Sequence, residues 1–124
     1  MLQLDCNVSR DGQTITLNLP GKDGKLCEVV LSFDEASSLG MTLPTLLSAA
    51  LRLRYSNDTL RHVYPLRKFA VEGATDCRHL MLALAADEGF EILFAMTADT
   101  AQLLSRNLAG RATSLTKAKP PLRN

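Results

Sequence analysis

Cys77, Arg78 and His79 bring a thiol, a fixed cation and an imidazole together at three consecutive positions. The thiolate is the reactive form of cysteine, and a neighbouring cation favours it. Nucleophilic catalysis also needs a base that a third group holds in place. No spacing in the chain points to such a set, so no catalytic residues are assigned. A metal centre needs three or four ligands at workable separations. The chain has only His62, His79, Cys6, Cys27 and Cys77 as nitrogen and sulfur ligands, and only Cys77 and His79 are close. No metal site and no cofactor are expected. Neither glycine-rich phosphate-loop pattern occurs. The adjacent carboxylates Asp34-Glu35 and Asp87-Glu88 fit a helix start and a hairpin turn.

A second constellation is basic. Arg52, Arg54, Arg61, Arg67 and Lys68 surround Tyr55, His62 and Tyr64. Cations interleaved with aromatic rings hold nucleic-acid backbones and stack bases. Arg52, Arg54, Arg61, His62, Arg67 and Lys68 are therefore the candidate binding residues for a small ligand or a nucleic acid. Two observations weigh against nucleic acid. Cations near a helix C-terminus are expected from the dipole alone, and the net charge is only +1, whereas nucleic-acid binders are usually strongly basic.

That small net charge hides a segmented pattern. Residues 1–43 carry −3, residues 44–79 carry +3, residues 80–105 carry −4 and residues 106–124 carry +5. The 124 residues are 46 % hydrophobic and 22 % charged, with no Trp. This is a globular composition, with a core that must rest on Leu, Ala, Val and Met. The first residues carry Asp5 and Asn7 where a secretory signal would need an apolar run. No stretch approaches the roughly 18 apolar residues of a membrane span. With an odd number of cysteines, three, the expectation is reduced thiols and a cytoplasmic location.

The elements that position these groups repeat. Shifting the chain by 65 residues lays Ile15, Leu17 and Leu19 on Leu80, Leu82 and Leu84, and Cys27, Val29 and Leu31 on Ile92, Phe94 and Met96. At the same offset Ser32 meets Thr97, Asp34 meets Asp99, Ala36 meets Ala101 and Leu39 meets Leu104. Each copy reads as three alternating strands and a helix. Ser32 and Thr97 stand where an N-cap hydroxyl is needed, and Glu35 completes a capping box with Ser32.

The fold class is therefore α+β: a tandem βββα repeat with about six mostly antiparallel strands and two main helical segments, related as a pseudo-twofold. Alternation leaves open whether the strands form one sheet or two. Residues 1–124 are read as a single domain. The first unit occupies 1–55, a connector 56–65, the second unit 66–110, and residues 111–124 form a loose basic tail. Gly40 and Pro44 are expected to end one short helix, with Thr42 capping another. Cys6 and Cys27 lie on apolar strand faces and are expected in the core; Cys77 lies in a turn.

The two copies differ on their outward faces. The first has Thr14, Thr16, Asn18, Glu28 and Val30 there; the second has His79, Met81, Ala83, Leu93 and Ala95. A strand apolar on both sides is normally covered on both sides. The expectation is a small non-enzymatic interaction or regulatory module that acts through protein–protein contacts. The expected cover is a second copy, giving a homodimer through Met81, Ala83, Leu93 and Ala95; the alternative is cover from within the chain by the helix from Leu43 to Tyr55. A further protein partner is compatible with this reading, and no membrane role is expected.

Overall fold

Three short alternating runs, two turns and a capped helix build each half of the chain. The computed structural model describes residues 4–73, 75–87 and 89–117. The element order is β1 (Asp5–Val8), β2 (Thr14–Pro20), β3 (Leu26–Ser32), α1 (Phe33–Arg54), β4 (Lys68–Gly73), β5 (His79–Ala85), β6 (Glu91–Thr97) and α2 (Ala98–Lys117). The strands form two separate antiparallel sheets, ordered β1-β2-β3 and β4-β5-β6. The fold is thus α+β with two βββα units. The chain divides into compact units Met1–Val63 and Tyr64–Asn124, so the boundary falls inside the expected connector.

The offset of 65 holds residue by residue. Strands β2 and β3 shifted by 65 coincide with β5 and β6. Asp5 pairs with Asn18 as Ala70 pairs with Ala83, and Thr14 pairs with Ser32 as His79 pairs with Thr97. Even the turn backbone repeats. Gly12 at φ 72° and Cys77 at φ 58° occupy equivalent positions, as do Gly24 at φ 80° and Gly89 at φ 79°. Left-handed backbone suits glycine, which has no Cβ to meet the following carbonyl. Cys77 holds the same shape with a side chain.

Helix α1 starts as its sequence dictates. The Glu35 N–H donates to Ser32 Oγ at 3.1 Å, and the Ser32 N–H donates to Glu35 Oε1 at 2.9 Å. The helix then runs unbroken through Gly40 and Pro44, against the expected interruption. Pro44 removes one backbone bond, and its ring crowds the carbonyl four residues back. That carbonyl belongs to Gly40. The cost is local, and Met41, Leu43, Leu46 and Leu47 around it favour helix. The helix ends in a Schellman pattern. Ser56 is left-handed at φ 49°, and the N–H groups of Ser56 and Asn57 donate to the carbonyls of Leu53 and Arg52.

Helix α2 also runs further than its periodicity implies. Residues 111–117 are helical rather than a loose tail; the remainder of that expected tail, 118–124, lies outside the described residues. Hydroxyl back-bonding accompanies the extension. Thr113, Ser114 and Thr116 donate to the carbonyls of Ala109, Gly110 and Ala112 at 2.8, 3.1 and 2.9 Å.

The apolar faces are formed but not sealed. No described residue is buried; the best covered are half-buried, mainly β2, β5 and a few helix positions such as Ala36, Ala101 and Leu104. Cys6 and Cys27 do not sit in a core: all three cysteines are free and exposed. Cys6 is on the edge strand β1 and Cys27 is near the turn end of β3, so each lacks a covering layer.

The capping box gives the first test. Ser32→Ala is expected to destabilise the protein by about 1 kcal/mol, read by urea unfolding at neutral pH. The Ser32 N–H holds the Glu35 carboxyl below its ordinary range. A lowered folded pKa means that this stabilisation is present at neutral pH and is lost as pH falls through the lowered value. Glu35→Ala removes that carboxylate while keeping the Ser32 hydroxyl, so the wild-type advantage over Glu35→Ala shrinks on acidification.

Candidate functional site

The turn between β4 and β5 holds the thiol, cation and imidazole. Asp76 organises it. Its Oδ1 accepts from the N–H groups of Arg78 at 2.9 Å and His79 at 3.1 Å. Its Oδ2 accepts from His79 Nδ1 at 2.6 Å. The Arg78 N–H is the main reason that the Asp76 carboxyl titrates below its ordinary range, with the His79 ring second. The first unit does the same work without an imidazole. Asp11 Oδ1 accepts from the Gln13 N–H at 3.0 Å and from Ser9 Oγ at 2.6 Å. The Asp76 turn is thus the repeat's own turn device, and His79 is engaged in it.

The basic candidates are divided between the units. Arg52, Arg54, Arg61 and His62 belong to the first, Arg67 and Lys68 to the second. Arg52 Nη1 donates to the Leu60 carbonyl at 3.1 Å and the His62 N–H donates to Ser48 Oγ at 2.9 Å. These bonds tie the connector back onto α1. Arg67 Nε pairs with Asp87 Oδ1 at 3.1 Å, both side chains exposed. Glu88, expected beside Asp87 in the hairpin turn, lies outside the described residues. Arg54 and Arg61 are exposed, and Lys68 opens β4 opposite Ala85. Two of the guanidinium groups therefore serve local structure. Among the described residues no three His, Cys, Asp or Glu side chains gather as a metal site. No described helix is long and apolar enough to cross a membrane.

The second sheet is the distinctive surface. Register and alternation place Phe69, Val71, Leu80, Leu82, Leu84, Ile92, Phe94 and Met96 on one face. Helix α2 offers this face little beyond Ala101, Leu104 and Leu108. An apolar groove of about 450 Å³ stays open between them. Phe69 is 71 % exposed and Leu108 61 %. In an adjoining apolar pocket that shares Leu66 and Leu84 with it, the Tyr64 and Phe90 rings stack with centroids 4.8 Å apart.

The opposite face carries the four residues singled out from the sequence. Ala70, Ala83 and Leu93 form one cross-strand row, and Glu72, Met81 and Ala95 form the next. Leu93 is 52 % exposed. The structure thus brings Met81, Ala83, Leu93 and Ala95 together as one patch. Ala70 belongs to it and was missed, because β4 shows too few alternating positions to declare its outward face. The open groove was missed as well. The signal was a mismatch in the sequence itself: eight large inward strand residues against a thin helical stripe.

No protein-family model, curated protein or solved structure matches the chain.

Cys77 offers a clean test of the turn's role. A non-glycine left-handed residue costs about 1 kcal/mol, and the first unit has glycine at this position. Cys77→Gly is expected to stabilise the protein by about that amount in thermal unfolding. An unchanged or lowered midpoint would mean that the Cys77 side chain contributes something the turn geometry does not require.

Proposed function

We propose that this protein is a small non-enzymatic interaction module that acts through protein–protein contacts and self-associates through the outer face of its second sheet. The observation that supports this reading is a sheet apolar on both sides with neither side sealed. Its inner face keeps an open groove beneath α2, and its outer face presents Met81, Ala83, Leu93 and Ala95. Contiguous exposed apolar patches mark contact sites, and twofold dimers are the commonest assembly. The first sheet shows the contrast: apart from Val30, its outer face carries Thr14, Thr16, Asn18 and Glu28, which suit water. Three free thiols fit a reducing, cytoplasmic setting. Nucleic-acid or small-ligand binding by the Arg52–Lys68 region is the less favoured reading, because Arg52 and Arg67 already hold local partners.

Light scattering at micromolar concentration tests the proposal. The wild type is expected to run as a dimer, and Met81→Lys combined with Leu93→Lys as a folded monomer. A monomeric wild type contradicts self-association. A double variant that unfolds would show that this face belongs to the chain's own core.

A further inference from the structure

The rim of the outer face carries a charge arrangement that selects one way for two copies to meet. Its cross-strand rows are Lys68–Ala85–Glu91, Ala70–Ala83–Leu93, Glu72–Met81–Ala95 and, beyond them, His79 with Thr97. Lys68 and Glu91 sit at opposite ends of one row, on the two edge strands. Neither forms an ion pair among the described residues.

We propose that two copies of this chain pack outer face to outer face about a twofold axis running along β5. This rests on the self-association reading above and deepens it. Rotation about such an axis keeps each row at its own level and exchanges the edge strands, so β4 of one copy lies over β6 of the other. Lys68 then meets Glu91 of the second copy, and Glu91 meets its Lys68, giving two symmetric charge pairs. Size is complementary as well. Ala70 lies over Leu93 of the second copy, small against large, twice. Ala83 and Met81 lie on the axis and meet themselves, and the small Ala83 allows close approach. Glu72 lies over Ala95 at the edge, with its carboxylate reaching water. An axis across the strands does none of this: it puts Glu91 over Thr97 and Glu72 over Ala70, and neither charge pair forms. Aligned sheets pack within about 30° of one another, a rotation that Lys and Glu side chains at the rim absorb.

The face is small. Three strands about 4.8 Å apart and seven residues at about 3.3 Å each give roughly 300 Å² per copy. A standard interface buries about 800 Å² per partner. The dimer is therefore below standard size and is expected to be weak and transient, so that two rim pairs are a measurable share of the binding.

Sedimentation equilibrium of the full chain, at low salt and micromolar concentration, provides the test. Lys68→Glu alone places like charges together twice, as does Glu91→Lys alone. Each is expected to raise the dimer dissociation constant about tenfold. Mixing the two variants in equal amounts should restore association to near the wild-type level. Only the mixed dimer sets the carboxylate introduced by Lys68→Glu against the ammonium introduced by Glu91→Lys, and native Lys68 against native Glu91. High salt should erase the differences. If wild type is a dimer that Met81→Lys with Leu93→Lys dissociates, yet the mixture associates no better than either single variant, the axis is wrong while the self-association reading stands. If wild type is monomeric, both fall. Circular dichroism of each variant confirms that the charge changes leave the fold intact.

Discussion

The second sheet needs two covers and has, at most, part of one. Strand β5 reads Leu80, Met81, Leu82, Ala83, Leu84 without a polar residue between them, so both faces of the sheet avoid water. Helix α2 crosses the inner face with a narrow stripe, and from Ser105 to Thr116 every one of its side chains is exposed. At about 25 cal/mol per Å² of apolar surface, leaving such faces wet is a large loss. A three-stranded sheet with one helix is near the lower limit of what stands alone. The open groove, the exposed Phe69 and the outer Met81–Leu93 patch are all expressions of this one shortage of apolar cover.

The first unit meets the same constraint differently. Its outer sheet face is polar apart from Val30, so mainly one face needs cover. Its helix is held by two ends rather than one. The capping box anchors the start, and the connector folds back on the second half through the Arg52–Leu60 and His62–Ser48 bonds. The Asp11 and Asp76 turns are equivalent devices in the two units, with different side chains supplying the second hydrogen bond. Divergence of the copies is thus concentrated in the outward face and in the segment after the helix, while turn and cap chemistry is retained.

Much of this was legible in the sequence. Ile15, Leu17 and Leu19 against Leu80, Leu82 and Leu84 show strand register because strand alternation has a period of two and tolerates no slip. Ser32 and Glu35 announce a helix start because the reciprocal bonds need those types at that spacing. The failures share a cause. Alternation says which side of a strand is apolar, not whether anything lies on it, so it places Cys6 and Cys27 in a core that does not close. Gly40 and Pro44 read as breakers because propensity is local, whereas helix continuity depends on the whole run. Residues 111–117 have no apolar period, and hydroxyl-to-carbonyl bonds rather than packing accompany their helix. Of the candidate binding residues, Arg52 and Arg67 look available in the sequence because their partners, Leu60 and Asp87, are 8 and 20 positions away.

Completion of the fold by a second copy has a thermodynamic signature, a thermal midpoint that depends on protein concentration. A partner that binds only the folded form raises stability with concentration by mass action. The midpoint of the full-length wild type is expected to rise steadily over about a hundredfold increase in protein concentration, by several degrees for a domain of this size. A midpoint independent of concentration would contradict this, because it would mean that the apolar faces are satisfied within one chain.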